Sequence, residues 1–200
     1  VYNKIESAAA LGSEKAKKSL KIANQVQKES KTLFAMVETY KKDIIDLGGG
    51  LDEKGIPLGK ENQDIGAEYL LHQKKGEVLR SKIEVYKKSL VALIDPRDKG
   101  LIASISELLK TPEYVDYEGN KASWESGISE HLPLAAVTAN LSNVQSYVSN
   151  AETQIINYLF EELGLDTYKV NRILAASIAE NSYILQGDAY QSSVFLAAAD

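Results

Sequence analysis

The sequence predicts a mainly α protein: an elongated helical bundle of three long helices plus a short one over residues 1–166, then two C-terminal β-strands over 167–200 that begin a second β domain. Three observations predict it. Apolar residues alternate three and four positions apart through three long stretches, the mark of amphipathic helices. Glycine and proline stand mainly at the ends of those stretches. After Gly164 the pattern changes to shorter runs on either side of the turn signal Gln186-Gly187-Asp188.

The first helix is expected from about Val1 to Leu47. Its seam reads Ala16, Leu20, Ala23, Val26 and then Leu33, Val37, Tyr40, Ile44. Gly12-Ser13 is its one internal weak point, and Gly48-Gly49-Gly50 ends it with a left-handed glycine cap. If unbroken, it would span roughly 65–70 Å at about 1.5 Å per residue. Residues 51–63 read as a loop. Asp64 is placed to cap a second helix that reaches about Ile94, with Leu79, Ile83, Tyr86, Leu90 and Leu93 on its seam and Gly76 as a soft spot.

Asp95-Pro96 pairs an N-cap residue with proline at the first helical position, the expected start of a short helix striped by Leu101, Ile102, Ile105, Leu108 and Leu109. Thr111-Pro112 stops it, and 111–131 reads as a polar loop that Trp124 anchors on the bundle. Pro133 then starts the most regular helix, with Val137, Leu141, Val144, Val148, Ala151, Ile155 and Tyr158 in unbroken alternation. Tyr168–Ser177 and Tyr190–Ala198 read as strands. A lone hairpin is marginal in water, so these strands are expected to join further strands of a second domain or of another chain, with Val194, Phe195 and Leu196 as the candidate pairing strand.

Composition narrows the function. The 200 residues are 44% hydrophobic and 26% charged, a folded rather than disordered composition. There is no cysteine, which removes disulfides, thiol nucleophiles and cysteine-ligated metals. A net charge of −5 argues against a general nucleic-acid binder. Residues 1–100 carry 19 Lys+Arg against 15 Asp+Glu, a net of +4, while residues 101–200 carry 4 against 13, a net of −9. The plain reading is solvated basic and acidic helices packed side by side; a basic end near an anionic membrane is the sharper one. No apolar run approaches the roughly 18–20 residues of a membrane span. The chain begins at Val1, which leaves room for a signal peptide or anchor upstream.

The motifs of chemistry are largely missing. His72 and His131 have no second histidine at ligand spacing, and each is expected as an ordinary surface or helix-end residue. The stretch Gly55-Ile56-Pro57-Leu58-Gly59-Lys60 departs from a phosphate loop at Lys54, where the first glycine belongs, and at Glu61, where Ser or Thr would hold magnesium. Asp116, Glu118 and Asn120 lack the glycine and glutamate positions of a calcium loop. Glu161, Glu162 and Asp166 read as a solvated helix end. No catalytic, cofactor or metal residue is therefore assigned.

One ordered set of residues carries a resemblance. Ser123-Trp124-Glu125-Ser126 is followed by Leu132-Pro133 and a long helix, then by Tyr168-Lys169-Val170-Asn171, Gly187-Asp188-Ala189-Tyr190 and Val194-Phe195-Leu196-Ala197. Trp124, Pro133, Gly187, Asp188 and Tyr190 are its fixed points. This order resembles the GldM/PorM family of gliding motility and type IX secretion over most of residues 120–200. Residues 60–95 fit in outline, including Lys75-Gly76 before Leu79-Arg80, and residues 1–60 fit as a long helix. The resemblance implies a Bacteroidota inner-membrane protein, anchored by one transmembrane helix just before Val1. Its periplasmic part would be a helical bundle followed by β-sandwich domains. It further implies a homodimer that joins the membrane protein GldL in a proton-driven motor and meets an outer-membrane-associated ring. The family's proton-handling residues belong to the membrane portion, so none falls in this chain.

Two other functions compete. A ligand-sensing periplasmic ectodomain of a membrane receptor would need convergent polar groups between helices, and the seams here are almost wholly apolar. An enzyme on a helical scaffold would need inward carboxylates or paired Glu-x-x-His; Glu68 and His72 are four apart and have no second pair. A stiff body that transmits displacement needs neither.

Overall fold

A computed structural model of the chain describes residues 1–115, 119–164, 172–179 and 192–199. The chain divides into two compact units, Val1–Phe160 and Glu161–Asp200. The protein is mainly α. Three long helices are present, α2 (Glu14–Leu47), α4 (Lys75–Val91) and α7 (Leu134–Glu161), together with more short ones than the sequence led us to expect.

The first departure is at Gly12-Ser13. The predicted 45-residue helix is two helices, α1 (Tyr2–Ala10) and α2, because Gly12 takes φ +95° and Ser13 caps α2 by accepting from the Ala16 N–H. The chain reverses there. α1 folds back along α2, so that the Tyr2 hydroxyl donates to Asn24 Oδ1 and Ile5 is fully buried. The longest continuous helix is therefore α2, 34 residues and roughly 50 Å at about 1.5 Å per residue.

α2 ends in a Schellman arrangement. Gly49, with φ +96°, donates to the Asp46 carbonyl and Gly50 to the Ile45 carbonyl; Gly48 itself keeps a negative φ. The following loop is tied by Asp52, whose carboxylate accepts from the Lys54 and Ile56 N–H groups. Asp64 makes no side-chain cap for α3 (Ile65–Ala67); Asn62 accepts from the Asp64 and Ile65 N–H groups instead. The second predicted helix is also interrupted. Glu68–His72 widens into a π-helical turn and Lys74 takes a left-handed φ of 58° before α4 begins. Gly76, predicted as a soft spot, is a close-approach position: a Cβ there would lie 2.7 Å from Glu125 Cγ.

At the next corner the cap is Asp98, which accepts from the Leu101 N–H and opens α5 (Lys99–Leu108); the predicted cap, Asp95, is held by Arg97. The expected loop over 111–131 is largely structured. β1 (Tyr114–Val115) pairs antiparallel with β2 (Lys121–Ala122), and Ser123 caps α6 (Trp124–Ser129), so Trp124 opens a helix rather than sitting in a loop. α7 follows Pro133 as predicted. Its first N–H groups go to loop carbonyls: Leu134 donates to Asn62 O and Ala135 to Lys60 O.

Leu134 packs where the Gly48 Cβ would be, and Gln145 bonds to Phe34 and Glu38, so α7 runs antiparallel to α2. The Ser89 hydroxyl reaches Glu29 and the Tyr69 hydroxyl reaches Asp43, so α4 also runs antiparallel to α2. The core is the shared seam. Val37, Ile44, Leu79, Leu90, Leu141, Val148 and Ile155 have no exposed surface. Near the helix ends the seam shifts by one residue: Ile94 and Leu159 are buried, where Leu93 and Tyr158 were predicted.

In the second unit β3 (Arg172–Ala179) pairs antiparallel with β4 (Ser192–Ala199), a few residues from the predicted bounds of 168–177 and 190–198. The register sets Val194, Phe195 and Leu196 opposite Ser177, Ala176 and Ala175.

Candidate functional site

The groups that join one long helix to another are the features with most bearing on function. The first is a polar clamp between α2 and α7. Gln145, one turn after Leu141 on the buried seam, donates through Nε2 to the Phe34 carbonyl at 3.2 Å and to Glu38 Oε2 at 3.0 Å. Its Oε1 accepts from Lys41 Nζ at 3.2 Å. All the amide's hydrogen-bonding groups are thereby used, which a buried glutamine requires. The Gln145 bond, and after it that of Lys41, holds the Glu38 carboxyl below the ordinary carboxylate range.

The second junction lies under α6. Glu125 is 4% exposed, and Arg80 Nε of α4 stands 2.8 Å from its Oε1. Opposite charges meet there, although the N–H is not aligned as a hydrogen bond to that oxygen. The absent Gly76 side chain is what lets Glu125 approach α4. Tyr69, from the π-helical turn, donates to Asp43 Oδ2 at 2.5 Å and meets the Tyr40 ring edge-on, centroids 5.4 Å apart. Burial, then the bond to Asp43, raises the Tyr69 hydroxyl above the usual phenol range. On α4, burial likewise raises the Tyr86 hydroxyl.

α5 and α7 are joined by Ser104, which donates to Gln154, and the corner before α5 is tied to α7 by the Asp95 N–H, which donates to the Tyr158 hydroxyl. Where α5 gives way to β1, a surface groove of about 520 Å³ opens between Leu108, Pro112, Tyr114, Gly127, Ile128 and Tyr147, with Trp124 beneath. Glu107 and Lys110 form an ion pair at its rim.

Trp124 is buried at the first position of α6, and Pro133 accepts from the Ala136 and Val137 N–H groups at the start of α7. They therefore lie at the two ends of the short segment that leads into α7. Gly187, Asp188 and Tyr190 lie outside the described residues. His72 pairs with Glu68 at 2.8 Å and His131 lies 3.9 Å from Glu130, both on the surface. Among the described residues no three His, Asp or Glu side chains gather as metal ligands, and no helix is long and apolar enough to cross a membrane.

The model of the GldM N-terminal domain matches residues 1–162, the whole of the helical unit. The chain belongs to the GldM N-terminal domain family. It is thus a component of gliding motility and type IX secretion, in a family of structural and motor parts rather than of known enzymes. The match spans the helices that the sequence linked to GldM only in outline, and the Gly187-Asp188-Ala189-Tyr190 stretch falls outside it. Among curated proteins, none matches the chain.

Sequence reasoning missed the clamp and the Arg80–Glu125 contact. For Gln145 a signal existed: it is the one polar residue four positions from Leu141 and beside Val144 on the seam. For Glu125 none did, since an acid in the first turn of a helix reads as an exposed partner of the helix dipole.

Proposed function

We propose that the helical unit is a non-enzymatic periplasmic shaft segment of a proton-driven inner-membrane motor that powers type IX secretion and gliding. In this reading a transmembrane helix preceding Val1 anchors the protein, and a GldL-like membrane partner drives it. The homodimer carries displacement toward an outer-membrane-associated ring. One observation carries the reading. α2 and α7 are unbroken over 34 and 28 residues, run antiparallel, each bury apolar residues along one face, and are fastened to each other by the Gln145 clamp. Bending such a pair requires the seams to slide past each other, which close-packed interiors resist.

The β3–β4 hairpin is the opening of a β-sandwich, with Val194, Phe195 and Leu196 on a strand that takes further partners from the rest of that domain or from a second chain. An isolated two-stranded sheet is marginal in water, which favours such partners.

The test is to soften the shaft at exposed positions of α2. Ala35→Gly and Thr39→Gly are exposed positions one turn apart in α2, and each glycine weakens the helix by up to about 1 kcal/mol. The doubly substituted full-length protein, at unchanged cellular level, is expected to lose secretion and gliding. Undiminished secretion and gliding, with faster hydrogen exchange confirmed in α2, contradicts a mechanical role.

A further inference from the structure

We propose that the groove beside Tyr147 and the adjoining outer face of α7 form the contact between two copies of this chain. The inference rests on the homodimer reading and adds to it the face that two copies share.

The first observation is charge. From Leu132 to Ala151 there is no charged residue, in a chain that is 26% charged. That run includes residues turned to solvent on α7, among them Ala139, Asn143, Ser146, Tyr147 and Asn150. Two copies of α2 laid face to face would instead set Lys17, Lys28, Lys31 and Lys42 against one another. The α7 face is where copies meet without like charges, and interface cores are depleted of charge and enriched in tyrosine.

The second observation is shape. Tyr147 is 45% exposed, a large aromatic projecting beside a groove of about 520 Å³ walled by Leu108, Pro112, Tyr114 and Ile128. A two-fold contact requires knob and hole on one surface, since each copy must offer both. Tyr147 is the knob and the groove beside it is the hole.

The third observation is the rim. Glu107 and Lys110 stand there as an exposed pair of opposite sign. Across a two-fold axis, Glu107 of each copy faces Lys110 of the other, so the rim complements itself. A foreign partner would have no need of knob, hole and both charges on one patch.

The chain's lack of cysteine makes the test direct. Single cysteines at Asn143 and Asn150, one turn to either side of Tyr147, are oxidised in the purified 200-residue chain, with Ser81→Cys on the exposed side of α4 as the comparison. Disulfide-linked dimers are expected from the α7 cysteines and not from Ser81→Cys. Tyr147→Glu is expected to weaken self-association by at least about tenfold in sedimentation equilibrium. The milder Tyr147→Ala, with an unchanged helical circular-dichroism spectrum, guards against a folding defect. Linkage through Ser81→Cys alone overturns the face while leaving the homodimer reading intact. A chain that stays monomeric at tens of micromolar overturns both. A photo-reactive residue at position 143 that joins a protein other than the chain itself, in cells, overturns self-contact in favour of a foreign occupant.

Discussion

Helices α2 and α7 run antiparallel through the helical unit, and each buries a mainly apolar face: Leu33, Val37 and Ile44 on one, Val137, Leu141 and Val148 on the other, with Ser19 and Ser30 the polar exceptions on α2 and Gln145 on α7. Their outer faces differ. α2 carries eight lysines and five acidic residues, whereas α7 has no charge before Glu152. The seam builds the bundle, and both helices meet that demand equally. The outer face is free of it, and there the lysines of α2 keep it solvated while α7 presents a surface water does not hold strongly. The inner faces thus set the fold, and it is on the outer faces that the two helices differ.

Breaking either seam should cost about the same. Ile44→Ala and Leu141→Ala each remove a fully buried side chain and are expected to destabilise the chain by about 2–5 kcal/mol in urea denaturation. A loss confined to one helix would mean that the two seams do not share a core. Gln145→Ala tests what fastens them. It leaves Lys41 and Glu38 without their cross-helix partner and is expected to cost about 1–3 kcal/mol, with the Glu38 carboxyl titrating closer to its ordinary range in an NMR pH series.

Surface substitutions sharpen the contrast from the other side. Lys28→Glu on α2 and Asn143→Glu on α7 are each expected to change stability by less than about 0.5 kcal/mol. Asn143→Glu alone should weaken self-association, measured by light scattering across a concentration series. Equal effects of the two on association would erase the distinction between the faces.

The smallest effect concerns acid. Hydrogen bonds from Arg97, first through its side chain and then its backbone N–H, hold the Asp95 carboxyl down at about 2. A carboxyl lowered on folding adds stability above its unfolded value, and that contribution fades as pH falls toward the folded value. Asp95→Asn should therefore lower stability slightly at neutral pH and flatten the acid limb below about pH 4, so that variant and parent converge as the pH falls toward 2. An acid limb that keeps its slope in this variant would show that the corner contributes nothing.

Much of the bundle was legible because seam periodicity depends on burial alone: Leu33, Val37, Tyr40, Ile44, Leu79, Ile83, Tyr86, Leu90, Val137 and Leu141 are all buried as read. The corners were harder, since competing caps lie within a few residues of each other. Asp95 and Asp98 both precede α5, and Arg97 decides between them by engaging Asp95. Asn62 displaced Asp64 in the same way. The reversal at Gly12 was visible as a weak point, but its sense depends on whether α1 finds an apolar face to cover, which Ile5 and Ala9 supply. The π-helical turn left no mark in residue pattern, because it answers the packing of Tyr69 against Tyr40 and Asp43, residues far apart in sequence. The Arg80–Glu125 contact and the Tyr147 groove were hidden for the same reason. Each joins segments whose proximity exists only once the bundle has closed.

Native-state hydrogen exchange tests most directly whether the helical unit is one stiff body. The amides of α2 from Val26 to Ile44 and those of α7 from Leu141 to Ile155 are expected to exchange only through global unfolding, with a common free energy that Gln145→Ala lowers in both helices together. If α7 instead opens at low free energy while α2 stays protected, the two helices do not act as a single strut, and a shaft built on their pairing is contradicted.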